Sequence, residues 1–281
     1  MKFLIKKLVS RAVACDYLWR MLKATILKIT RYAERERLRY EFSMQGPEIK
    51  KAIGAICPDL TVRHGPFQGM KYPRPESMGS SLFPKLLGSY EKEIQPIWEI
   101  ICGNAYAEIV DIGCAEGYYA VGLALRIPGA KVFAYDTDQD AIQLCRNMAE
   151  LNKVGRRVVT GGFCDGEILK SHLLSGKALI ISDCEGYEKD LFSKEIVQRL
   201  AHHDVLVELH DFIDIEISSL IRRRFEDTHV IRAIQSVDDI TKAHSYCYEE
   251  LQDYTLSMRK LLLAECRPAI MEWFYMTPRI D

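Results

Sequence analysis

Nine cysteines (15, 57, 102, 114, 145, 164, 184, 247 and 266) contain no C-x-x-C pair. A structural zinc site needs that spacing or a Cys/His set, and neither is present. A disulfide framework belongs to short secreted chains, and this chain has 281 residues. Several cysteines fall inside apolar strand or helix patterns, so free buried thiols in a reducing cytoplasm are expected. No uncharged run approaches the ~20 residues that a membrane-spanning helix needs. A secretory signal is not expected, because Arg11 and Asp16 interrupt any apolar core near the start. There is no G-x-G-x-x-G dinucleotide fingerprint, no internal repeat and no low-complexity tract. Net charge is −1, so no global pull toward nucleic acid is implied.

That small net charge hides an uneven distribution. Residues 1–40 hold eleven Lys/Arg against three acids, a net of +8, which leaves −9 for the remainder. Residues 1–31 read as a basic amphipathic helix, with Leu4, Leu8, Cys15, Leu18, Leu22, Ile26 and Ile29 near helical period. Such a helix either packs on its own domain or a partner, or makes peripheral contact with an anionic membrane face. Residues 1–45 are therefore expected to form a helical extension. Residues 46–104 are expected to be an irregular lead-in, punctuated by Gly65-Pro66, Gly69, Pro73, Pro75, Gly79, Pro84 and Gly88. Within it, 60–63 reads as a short strand and Tyr90 to Cys102 as a helix. Long irregular segments before a catalytic domain often cover its site.

From residue 105 the pattern alternates. Strands are expected at 107–112, 131–136, 157–160, 178–183, 204–210 and 229–233. Helices are expected at 117–127, 139–151, 166–174, 188–201 and 214–224. Residues 236–268 read as a charged helical insertion, and 269–276 as a last strand of antiparallel sense. Strands joined by helices mean right-handed crossovers and a parallel sheet covered on both faces. The fold class is α/β, Rossmann-like, with a helical extension before it.

The organising stretch is Ile109-Val-Asp-Ile-Gly-Cys-Ala-Glu-Gly-Tyr-Tyr119, a strand, a glycine turn and a helix start. Gly113 can take positive φ and admit a close ligand. Amide groups at the helix start beyond Gly117 favour an anion, but Asp111 lies just before the turn. A carboxylate there suits a ligand with a cationic end, such as the amino group of a methionine moiety. Asp136, with Thr137 beside it, ends strand two, where an acid can accept from ribose hydroxyls. The alternative for Asp136 is a solvated strand end or a helix cap, and Asp138 could also cap. Cys164-Asp165 follows strand three, where a carboxylate can meet an adenine amino group or cap the next helix. Asp183-Cys-Glu-Gly-Tyr-Glu188 follows strand four, and strand five ends in Glu208-Leu-His-Asp211. His210 held beside Asp183 and Glu185 reads as a general base. The alternatives are a structural cap and an Asp/Glu/His site for magnesium or manganese; the metal is not the favoured reading. His202 and His203 read as a solvated helix end.

These pieces resemble the FkbM-like methyltransferases. The matching residues are Gly88-Ser-Tyr-Glu91, Val110 to Tyr119, Tyr135-Asp136, Cys164-Asp165, Asp183 to Glu188 and Val207 to Asp211. The resemblance implies the class I methyltransferase fold, with seven strands, six parallel and the last antiparallel near the edge. It implies S-adenosylmethionine as cofactor, held by Asp111, Gly113, Cys114, Gly117, Tyr118, Asp136, Thr137, Cys164, Asp165 and Asp183. It implies O-methylation of a sugar, glycan or other small metabolite, with His210, Asp183 and Glu185 as catalytic residues. Nucleic acid is not an expected partner; a homo-oligomer is left open. There is no Asn/Asp-Pro-Pro-Tyr at the end of strand four, the pattern associated with methylating amino groups of bases and glutamine. Two other functions stay open: a non-catalytic binding or membrane-associated protein on this fold, and an NAD-dependent oxidoreductase.

Overall fold

The computed structural model describes residues 46–172 and 176–279. The chain divides into two compact units, Met1–Lys51 and Ala52–Asp281. In the first, only the opening turns of helix α1 (Gly46–Ile56) are described. The basic amphipathic helix expected at 1–31, and the rest of the 1–45 extension, lie outside the described residues. No helix among the described residues is long and apolar enough to cross a membrane.

Among the described residues, the second unit is built on seven strands. They are β1 (Glu108–Ile112), β2 (Lys131–Tyr135), β3 (Val158–Gly161), β4 (Ala178–Ser182), β5 (Asp204–Leu209), β6 (His229–Gln235) and β7 (Glu272–Pro278). They lie in the order β3-β2-β1-β4-β5-β7-β6. Only β7 runs antiparallel, slotted between β5 and β6. This is the class I methyltransferase arrangement, as expected. The central strands β4 and β5 are buried at every residue. Strands buried at every residue are strands whose two faces are both covered by helices. At the edge, β6 is mostly exposed beyond His229.

The crossovers carry helices α4 (Tyr118–Arg126), α5 (Gln139–Leu151), α6 (Gly166–Ser171), α7 (Glu188–Leu191), α8 (Lys194–Arg199) and α9 (Ile217–Phe225). Side-chain caps start several of them: Asp138 accepts from Asp140 N and Ala141 N, Asp165 from Ile168 N, and Ser193 from Ile196 N. One face of the sheet packs Val110, Ile180, Val207 and Phe274 against Leu169, Leu191, Phe192, Ile221 and Phe225.

Local departures from the sequence pattern have physical causes. The single helix expected over 188–201 is two, because Ser193 caps a new start and Phe192 drops into the core between them. The helix expected from Tyr90 begins at Gln95, as α3 (Gln95–Cys102). Glu91 has φ of 47°, which a helix cannot hold, and a proline stands in the first turn. The strand expected at 60–63 makes one isolated bridge, Thr61 to Lys71. The insertion at 236–268 is two short helices, α10 (Asp239–Ser245) and α11 (Leu256–Leu263), with a single 3-10 turn between them. The lead-in also contributes α2 (Leu82–Leu87).

Candidate functional site

Register sets the site. Ile112 pairs with Tyr135 of β2 and Ser182 of β4, so the three strands end level. Gly113 N and Cys114 N both donate to the Tyr135 carbonyl, at 2.8 and 3.0 Å. Gly113 has φ of 83°, and a Cβ on it would sit 1.7 Å from the Asp183 carbonyl oxygen. The close approach that demands glycine here is therefore made by the backbone just after β4. Gly117, at φ 91°, precedes α4, and its missing side chain leaves room for Cys145 of α5. Cys114 is buried; a hydrogen bond with the Cys145 thiol, together with burial, pushes its thiol well up, away from reactivity.

Asp111 is 1% exposed, and its Oδ2 has no hydrogen-bond partner. Burial, with the charges of Asp183 and Asp136 adding, raises its pKa to about 8. Asp136 stands half-buried at the end of β2. Its Oδ2 accepts from Ala115 N and its Oδ1 from Asp138 N, both at 2.8 Å. It thereby ties the glycine turn to the neighbouring strand. Thr137 is exposed beside it. Asp165 caps α6 through Oδ1, 2.9 Å from Ile168 N, which is the structural role open to it from sequence. Cys164 is buried, its thiol pushed up to about 12 by burial and Asp165. Tyr118, an expected cofactor contact, is 4% exposed and packs edge-on against Phe67 and Tyr90.

At the ends of β4 and β5 the expected trio does meet. His210 is 2% exposed, and its Nδ1–H donates to Glu188 Oε1 at 2.6 Å. Its Nε2 faces Asp183 Oδ1 at 3.4 Å and Glu185 Oε2 at 3.7 Å. Burial opposes a charge on the ring, but Asp183 and Glu188 outweigh it and raise the His210 pKa to about 11. Between these carboxylates the ring holds a proton more tightly than an ordinary histidine does. Asp183 is held below the usual carboxylate range; burial resists this, and His210 and Arg267 overcome it. Glu185 and Gly186 both take left-handed backbone, φ 51° and 97°, which swings the acids over the strand end.

Residues to which the sequence analysis gave no role complete the surroundings. Arg267, from the insertion, pairs with Glu91 of the lead-in, Glu208 of β5 and Glu265. Glu208 is raised well above its ordinary range by burial and by Asp183. Glu91, Trp98, Tyr119, Asp183, Glu208 and Trp273 line one pocket. Glu116, inside the glycine turn, points the other way. It is fully buried, receiving Lys85 Nζ at 2.6 Å, Ser77 Oγ at 2.9 Å, Tyr72 OH at 3.1 Å and Met78 N at 3.1 Å. An acid in a glycine turn was visible in the sequence; its partners, 31 to 44 residues away, were not. His203, read as solvated, is buried: Ala178 N donates to its Nδ1 at 3.0 Å, so it braces the start of β4.

Residues 99–170 match the methyltransferase small domain family. The release factor glutamine methyltransferase of Chlorobaculum tepidum is 42% identical over 50 residues, 18% of this chain and 17% of that protein. That of Flavobacterium psychrophilum is 32% identical over 97 residues, 34% of this chain and 32% of that protein. The matched regions thus span a third or less of those relatives' lengths. Among solved structures, an S-adenosylmethionine-dependent methyltransferase from Geobacter sulfurreducens, in complex with S-adenosyl-L-homocysteine, superposes at a TM-score of 0.42. It is 13% identical, with 67% of this chain and 91% of that one covered. In its matched segment and in its strand order, the chain is similar to the class I S-adenosylmethionine-dependent methyltransferases.

Proposed function

We propose that the chain binds S-adenosylmethionine across the glycine turn and transfers its methyl group to a hydroxyl of a sugar, glycan or other small metabolite. The observation that carries this reading is Asp111, a buried carboxylate with an orphaned oxygen beside the turn. A phosphate there would be repelled. An ammonium group would satisfy the orphan and draw the proton off, so the chemistry of the donor set fits this cofactor. Gly113, Cys114 and Gly117 shape the turn. Asp136, at the half-buried strand end, takes the ribose with Thr137 alongside, and Asp165 with Cys164 takes the adenine. Asp183 lies between cofactor and acceptor.

The cofactor supplies an activated methyl group, so the protein's task is mostly alignment for in-line displacement. The acceptor hydroxyl must shed a proton near the transition state. The Asp183–Glu185–His210 cluster handles that proton as a unit, with the buried Glu188 holding the imidazole in place. The resemblance to the FkbM-like branch supports a hydroxyl acceptor. A second reading, N-methylation of a protein glutamine, draws on the two partial matches. Against it, β4 runs on into Ser182-Asp-Cys-Glu185 rather than Asn/Asp-Pro-Pro-Tyr.

Calorimetric titration with S-adenosylhomocysteine, wild type beside Asp136→Ala, tests the cofactor site. Micromolar binding lost in a folded variant supports the reading; no binding by folded wild type sinks it. A screen with labelled methyl donor, comparing hydroxylated sugars with a glutamine-bearing peptide, then separates the two acceptors.

A further inference from the structure

We propose that Asp183 Oδ1, Glu185 Oε2 and His210 Nε2 form a binding site for one divalent cation of the manganese or magnesium class. The three atoms all lie within 4.8 Å of one another. Nε2 stands 3.4 Å from one carboxylate oxygen and 3.7 Å from the other. Donors bound about 2.1–2.2 Å from one ion, at tetrahedral or octahedral angles, stand about 3.0–3.6 Å apart. These two separations are near that range and loose for direct hydrogen bonds.

A second observation is independent of the cluster's acidity. The other nitrogen of His210 is committed to Glu188 Oε1 at 2.6 Å, and neither side chain is open to solvent. A carboxylate that accepts from Nδ1–H leaves Nε2 as the nitrogen that faces Asp183 and Glu185, and a bound ion would take the place of the proton on Nε2. A carboxylate is one of the usual outer partners that hold a metal-bound histidine. The donor set is one imidazole nitrogen and two carboxylate oxygens. Hard oxygen donors select magnesium, calcium or manganese, and the imidazole favours manganese among these. Glu185 is 78% exposed and Asp183 37%, so the ion would keep open positions toward the solvent side. There it could hold an acceptor oxygen and lower the pKa of its hydroxyl. That last role rests on the transferase reading; the site itself does not.

The test is titration of Mn2+ into the purified full chain, followed by calorimetry and by electron spin echo spectroscopy. One ion should bind at about 100 µM or tighter, with nitrogen modulation from the imidazole in the echo. Glu185→Gln, at an exposed position that folding tolerates, should weaken binding about tenfold or more. His210→Gln should remove the nitrogen modulation, with thermal unfolding confirming a folded chain. Wild type that is folded yet binds no Mn2+ below millimolar overturns the proposal. So does binding without nitrogen modulation, or binding that Glu185→Gln leaves unchanged. Titration with S-adenosylhomocysteine on the same sample separates the two claims. Cofactor binding without Mn2+ binding defeats the cation site alone, and the reverse defeats the transferase reading alone.

Discussion

Nδ1 of His210 lies 2.6 Å from Oε1 of Glu188, and the Glu188 side chain has no exposure to solvent. The ring nitrogen donates in this pair and the carboxylate oxygen accepts. Removing the acceptor removes the restraint on the ring. In Glu188→Ala, imidazole 15N shifts should show that protonation of Nδ1 is no longer enforced. In Glu188→Gln, whose amide oxygen still accepts, the wild-type pattern should persist. Identical spectra for wild type and Glu188→Ala would show that Glu188 does not set the tautomer.

Asp111 gives the pH dependence of ligand binding. Its folded pKa is about 8, against about 4 in an unfolded chain. Between those values the folded state holds a proton that the unfolded state has lost. Its contribution to stability therefore falls as pH rises from about 4 to about 8. A cationic ligand needs the carboxylate, so S-adenosylhomocysteine should bind more tightly as pH rises toward 8, by nearly tenfold per unit, and then level off. Asp111→Asn should flatten that slope and weaken binding at pH 8. A wild-type affinity independent of pH between 6 and 8 would falsify the pairing.

Gly113 admits no side chain. A Cβ would meet the Asp183 carbonyl oxygen at 1.7 Å, and φ of 83° strains any other residue. Gly113→Ala should cost more than about 3 kcal/mol, because backbone strain and a clash with rigid backbone add. Urea denaturation measures it. A loss under about 1 kcal/mol would mean that the turn relaxes freely.

Lys85 and Glu116 form a buried ion pair across 2.6 Å, with side chains 3% and 0% exposed. Breaking one side of such a pair costs about 3–5 kcal/mol. Lys85→Met should show that loss and should weaken cofactor binding, since the pair fastens the lead-in to the glycine turn. The double variant Lys85→Met/Glu116→Gln should recover part of the stability, because no lone charge stays buried. If the single and double variants are equally destabilised, packing rather than charge dominates there.

Much of this protein is legible along the chain. The alternation of apolar runs and helical periods yields six parallel strands in sequence, and Ala269 to Met276 announces the last strand close to its observed span. Asp111, Gly113, Asp136, Asp183 and His210 stand out because strand ends in open α/β sheets are where ligands bind. Boundaries were less legible. Nothing in the periodicity of 188–201 shows that Phe192 leaves the helix to fill the core, and nothing in 90–94 shows the left-handed turn at Glu91.

The pattern of residues by itself determined the fold class and the end of the sheet that carries the site. Both follow from local periodicity, which each stretch of chain carries on its own. The tertiary structure alone decided which charges meet. Glu116 finds Lys85, Arg267 gathers Glu91, Glu208 and Glu265, and Glu188 takes the free nitrogen of His210. Those partners lie 22 to 176 residues apart, except for Glu265, a near neighbour of Arg267. A long-range pairing depends on how the elements stack, and so does the protonation state it imposes. That is why the sequence shows His210 near two acids but not the buried Glu188 that raises its basicity.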